Sequence, residues 1–394
     1  MAKTKPKNKS AAKKEKSTLN RVNPGPSQTS SPPQSPLVLL SEATIHLQQG
    51  DIESAIPLAK KALLLSDEQS IEALPALNLL GEIHVELGEI DAAREYFLKA
   101  VKLDEDGDEQ EELGGGAEKF LWLAQLSEDG GADSVAWYKK GAGSLRRQIG
   151  TLLHSKSLHP VGVQKLKEKE RKLAVALCGV VEVYMTDLSW EDDAEQKCEA
   201  LVTEATMVAP DFAEPWQTLA NVRLSQARVE DAQAALRRSL ETWKDLAPED
   251  AGVPDFPSRV SLARLLMEAE MEEEAIEVLE RLVGEDDSSV EVWYLGGWCM
   301  YIMGDKQKNG EIKDADRDGD SWKVSWISSR QWLTQSLHLF EAQDYEDERL
   351  GQHAQELISS LNAELGGAVD DDEEEGEEWE DDDPSDGDED MTGA

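Results

Sequence analysis

The chain has 394 residues with a formal net charge of -42, enough for two or three ordinary domains or one long repeat array. Residues 1–36 carry eight Lys/Arg and one Glu, Asp370–Asp390 carry 16 acids and no base, and about -33 is left for the rest, so phosphate-rich nucleic acid is a poor partner and a basic protein a good one. Three widely spaced cysteines, Cys178, Cys198 and Cys299, form no disulfide framework and point to a reducing compartment, and no apolar run is long enough to span a membrane.

Residues 1–36 are too polar to offset the entropy of ordering and are predicted to be disordered. Lys3, Lys5, Lys7, Lys9, Lys13, Lys14 and Lys16 read either as a nuclear localisation signal or as a solvated tail. A helical pair is expected over 37–66, with Gly50-Asp51 in its turn and Ala55, Ala59 and Ala62 inside. The second pair starts at Leu74, with Leu80-Gly81 as the small contact of its first helix and Ala93, Phe97 and Ala100 on the inner face of its second. The stretch EDGDEQEELGGG at 105–116 reads as a linker to a third pair, with Phe120, Leu123 and Ala124 on one helix and Ala136 on the other.

Residues 144–172 stand apart, with eight bases from Arg146 to Lys172. They predict a helical extension, a bend near His159-Pro160 and a long helix to about Leu188, with the bases pairing to acidic neighbours. A fourth pair ends with the helix 192–208. The fifth, APDFAEPWQTLANVRLSQARVEDAQAALRRS at 209–239, places Trp216, Leu219 and Ala220 on one helix, and Ala232, Leu236 and Ser239 on the next. A sixth carries Leu262-Ala263, Ala275, Leu279 and Leu282, and a seventh opens with VEVWYLGGWCMYIMGD at 290–305. An amphipathic helix at 344–365, with Leu350, Ala354, Leu357 and Leu361 as its stripe, is expected to close the array. The acidic segment 367–394 is predicted to be disordered.

This pattern resembles the tetratricopeptide repeat, a helix–turn–helix unit of about 34 residues. The resemblance implies an all-α superhelical solenoid over 37–366, of about seven helix pairs and a capping helix, between a basic and an acidic tail. Such a solenoid exposes a concave groove lined by the first helix of each pair. Helical spacing places Glu82, Glu86, Glu118, Glu128, Asp129, Tyr184, Glu214, Asn221, Glu268, Trp293 and Tyr301 on that groove. Acids mixed with aromatics suit an extended basic peptide. Tetratricopeptide clamps for acidic chaperone C-termini use Lys and Asn on first helices, whereas Asn78, Glu82 and Glu86 here invert the charge.

Catalytic signatures are missing: there is no phosphate-binding glycine loop, no GxGxxG, no HExxH and no GxSxG, so neither an enzyme nor a cofactor is expected. DADRDGDSW at 314–322 starts like a calcium loop, but its twelfth position is Ser325 instead of a bidentate Glu, and a solvated acidic insertion is the better reading. His46 and His84, each four residues before a turn glycine, read as packing residues.

A narrower resemblance rests on FPSRVSLARLLMEAEMEEEAIEVLERLV at 256–283, EDDSSVEVWYLGGWCMYIMGD at 285–305 and the two charged tails. These are similar to the fungal dedicated chaperones that escort large-subunit ribosomal protein four. That resemblance implies capture of a newly made basic ribosomal protein and delivery to nuclear pre-ribosome assembly. It also implies residence in cytoplasm and nucleus, with an import receptor reading the Lys-rich start. The alternatives are a scaffold subunit of a larger complex and a histone chaperone.

Overall fold

The computed structural model describes residues 35–67, 69–154, 160–311 and 321–366. Among the described residues the chain forms fifteen α-helices and no strand. The basic start, the calcium-loop-like residues 314–320 and the acidic tail lie outside the described residues. The helices fall into two compact units, divided between Leu103 and Asp104.

The first unit holds the pairs α1 (Pro36–Gln48) with α2 (Ile52–Leu65), and α3 (Leu74–Glu86) with α4 (Ile90–Leu103). Ser35 and Asp51 cap α1 and α2 by accepting the N–H groups of Val38 and Ser54. Small residues let the helices close: Ala43, Ala55, Ala59 and Ala62 are fully buried. Gly81 faces the Phe97 ring so closely that a Cβ there would lie 2.5–2.8 Å from three ring atoms. The two histidines brace the turns of this unit. His46 Nδ1 meets Asp51 at 3.0 Å, and His84 Nδ1 meets Glu89 at 2.6 Å while its ring stacks on Tyr96.

The second unit contains α5 (Glu118–Gln125), α6 (Gly131–His154), α7 (Pro160–Met185), α8 (Ala194–Val208), α9 (Ala213–Ser225) and α10 (Val229–Glu241). It continues with α11 (Phe256–Glu268), α12 (Glu272–Glu285), α13 (Val290–Lys308), α14 (Ser321–Ala342) and the closing α15 (Glu348–Leu365). Each helix packs on its successor. In addition α7, α9, α11, α13 and α15 approach one another in turn, so the first helices of the pairs form the inner layer. Between α5 and α7 the Lys172–Glu118 ion pair, 2.6 Å, makes the link.

Leu350, Ala354, Leu357 and Leu361 bury the expected stripe of α15. Ala227 and Glu270 take positive φ (55° and 59°) in turns where the first unit uses Gly50 and Gly88.

Three local expectations change. Ala136 is exposed, because α6 starts at Gly131 and turns Val135 and Tyr138 inward instead. Trp216 is half-buried, tied to the Pro210 carbonyl at 3.0 Å, and Trp243 is the fully buried aromatic nearby. The stretch 105–116 is an ordered loop rather than a spacer. Asp104, 5 % exposed, accepts from the N–H groups of Asp108, Glu109 and Gly116 and from Lys119 Nζ at 2.7 Å.

Candidate peptide-binding surface

The inner layer of the second unit brings carboxylates from three successive first helices together. Glu182 lies in α7, Glu214 in the first turn of α9, and Asp255 caps α11 by accepting from Ser258 N at 3.0 Å. Among the described residues none of the three has a salt-bridge partner. Burial pushes Glu214 up to about 7, and the charges of Glu182 and Asp255 add to that push. Glu182 is exposed by area, yet the protein around it removes enough water to raise its carboxyl as well. Both observations fit a carboxylate on a concave wall, open on one side and flanked by atoms on the others.

Neighbouring groups register the same field. Burial, then the charges of Glu182 and Glu214, raise the Tyr138 hydroxyl, which also bonds Gln125. Cys178 is fully buried and pushed up to about 12, again by burial first and then by those two acids. It is an inert packing residue, not a nucleophile. No group of three or more His, Cys, Asp or Glu among the described residues is arranged to hold a metal ion.

The other predicted groove residues divide. Glu82 is half-buried and Glu86 exposed on α3, in the first unit. Glu118 is neutralised by Lys172 at 2.6 Å. Glu128 and Asp129 are exposed in the turn after α5, off the helix face. Tyr184 is a correction: it is 4 % exposed, packed in the core between α7 and α8, with the Lys197 ammonium 4.6 Å above its ring. Asn221 is half-buried in α9 and Glu268 exposed at the end of α11. Trp293 packs on Trp332 with ring centres 4.7 Å apart, and Tyr301 stacks on Trp326 at 5.8 Å, so both rings are engaged by α14.

Glu182 and Asp255 were not anticipated. The available signal was that Glu182 is the only charge in the apolar run LAVALCGVVEVYM at 173–185. A charge retained in a buried helix needs an outlet to water or a partner.

The basic stretch is largely neutralised from within, as expected. Arg146 grips Glu204 through two bonds of 2.8 and 2.9 Å, Arg147 meets Asp108, Lys165 meets Glu112, and Lys169 meets Glu111. Among the described residues Lys167 and Arg171 have no such bridge.

Comparison with known proteins places these features. Residues 36–106 match the tetratricopeptide repeat family. A probable assembly chaperone of rpl4 from Emericella nidulans is 46% identical over 392 residues, covering 96% of this chain and 97% of the relative. A probable assembly chaperone of rpl4 from Schizosaccharomyces pombe is 33% identical, covering 86% of this chain and 95% of its own length. A solved structure described as the assembly chaperone of RpL4, residues 1–338, is 59% identical with a TM-score of 0.66, covering 71% of this chain and 100% of that one.

Proposed function

The chain belongs to the family of assembly chaperones of rpl4, and from that premise we propose that it is a dedicated, non-catalytic chaperone for a highly basic large-subunit ribosomal protein. The observation that carries the reading is the set of unneutralised carboxylates, Glu182, Glu214 and Asp255, on three successive first helices. A Lys- or Arg-rich segment laid along that layer meets the charges it needs, and the layer's negative field speeds the encounter. The same acidity repels phosphate, so the chaperone holds its client away from RNA and does not bind nucleic acid itself. The Lys-rich start supports passage from cytoplasm to nucleus on an import receptor, with release of the client during pre-ribosome assembly.

The test is affinity purification of the tagged full chain from its own cells, with mass spectrometry of co-purifying proteins. The reading predicts one dominant basic ribosomal protein, rpl4, released steeply by added salt because exposed charges are screened beyond a distance of about 10 Å at 0.1 M. Histones in its place support the histone-chaperone alternative. A set of non-basic partners supports the scaffold.

A further inference from the structure

One cleft of the second unit is lined by more bases than acids, unlike the carboxylate cluster on α7, α9 and α11. This cleft, of about 800 Å³, opens between α5 and α7, which the Lys172–Glu118 ion pair bridges. Leu121, Trp122, Val163 and Val175 give it an apolar floor, Lys167 and Arg171 stand at its edge, and its two acids, Glu118 and Glu168, are both held by Lys172. Both cations are exposed, and neither has a salt bridge among the described residues, whereas the bases around them are already paired with acids of the fold. Arg171 is placed by the Phe212 ring, 5.4 Å from its guanidinium. An apolar floor rimmed by two unneutralised cations suits an aromatic side chain flanked by carboxylates. A Lys/Arg-rich segment would be repelled there.

The chain itself contains such a segment outside the described residues. Its acidic tail has one aromatic residue, Trp379, set between Glu377-Glu378 and Glu380-Asp381. The last described helix ends at Leu365 in the same unit as α5 and α7. The thirteen steps from Gly366 to Trp379 extend to about 45 Å. Tethering raises the tail's effective concentration at any site it reaches, which favours it over free acidic peptides.

We propose that Trp379 and its flanking acids dock in the α5–α7 cleft, the ring against Leu121 and Trp122 and the carboxylates on Lys167 and Arg171. The docked tail covers the cationic edge of this cleft, beside the carboxylates Glu182, Glu214 and Asp255 that face a client. The inference does not depend on the client's identity, and its test contains no client.

The test is photocrosslinking in the full chain, with p-benzoylphenylalanine at position 379 and the products mapped by mass spectrometry. The expected result is crosslinking within one molecule to residues 118–125 and 160–175. Lys167→Glu with Arg171→Glu should lower that yield by about tenfold or more, since two charge-assisted contacts are lost at about tenfold each. Arg264→Glu, a charge change on another helix, should leave it unchanged. Hydrogen exchange gives a second reading: Trp379→Ala should speed exchange in α5 and the first half of α7. Crosslinks that map elsewhere, form only between molecules, or survive the double reversal would overturn the proposal, as would unchanged exchange in the Trp379 variant.

Discussion

Replacing Asp104 by Ala should cost the second unit more than any surface change. Asp104 and Lys119 are an almost fully buried pair, with side chains 4 % and 1 % exposed and a 2.7 Å contact. Burial works against both charges. For Asp104, Lys119 and the backbone donors outweigh it and hold the carboxyl below its ordinary value. For Lys119, burial wins and its ammonium is pushed down. Deleting one partner of such a pair costs about 3–5 kcal/mol, because the other charge is stranded. Asp104→Ala strands Lys119 with only the Gly116 carbonyl, 2.7 Å away, and leaves the N–H groups of Asp108, Glu109 and Gly116 without their acceptor. Lys119→Met leaves Asp104 with those three donors, so it should cost less. The double variant should cost less than the sum, with a coupling of about 1–3 kcal/mol. Urea unfolding followed by tryptophan fluorescence reads this unit alone, since all eleven tryptophans lie beyond Asp104. The pair's carboxyl is lowered on folding, so its stabilisation is present above the ordinary Asp value and is lost as pH falls through the folded one. Additive losses below about 1 kcal/mol would refute the view that this pair organises the loop 105–116.

Two further outcomes follow from the packing and the titration. Gly81→Ala places a methyl group against the fully buried Phe97 ring, and overpacking of about 1–3 kcal/mol should outweigh the gain in helix propensity. Hydrogen exchange should then quicken in α3 and α4 and stay unchanged beyond Asp104. Glu214 is raised on folding, so its ionisation costs stability as pH rises from the ordinary glutamate range through about 7. A client cation reverses that cost, so affinity should climb about tenfold from pH 6 to pH 8, with proton release visible by calorimetry in buffers of different ionisation enthalpy. Glu214→Gln should flatten that climb.

The helical frame was legible because small residues and turn residues recur at fixed places. Ala55, Ala59, Ala62, Ala93, Ala100 and Ala275 are all fully buried where spacing put them inside. What failed was local and has physical causes. The acidic, glycine-rich 105–116 looked like a spacer because the residues that order it, Asp104 and Lys119, flank the stretch and meet across it. Ala136 was assigned inward on a helix start that Gly131 shifts. In the site, helical spacing puts Glu214 on the inner face of its first helix, whereas Glu182 reads only as a charge that breaks the apolar run 173–185, because spacing along one helix does not show which neighbouring helices bring other acids close to it. Helical spacing puts Tyr184 on the groove, but its side chain turns toward α8, where Lys197 covers it.

The central claim is that the carboxylates of the inner layer grip a basic client. The direct measurement is the affinity of the purified full chain for rpl4, compared with that of Glu182→Lys with Glu214→Lys. Circular dichroism should confirm that the variant keeps its helices. Loss of affinity by about a hundredfold or more, with a shallower salt dependence, is predicted from reversing two charges in one groove. Unchanged affinity and an unchanged salt slope in the folded variant would contradict the account.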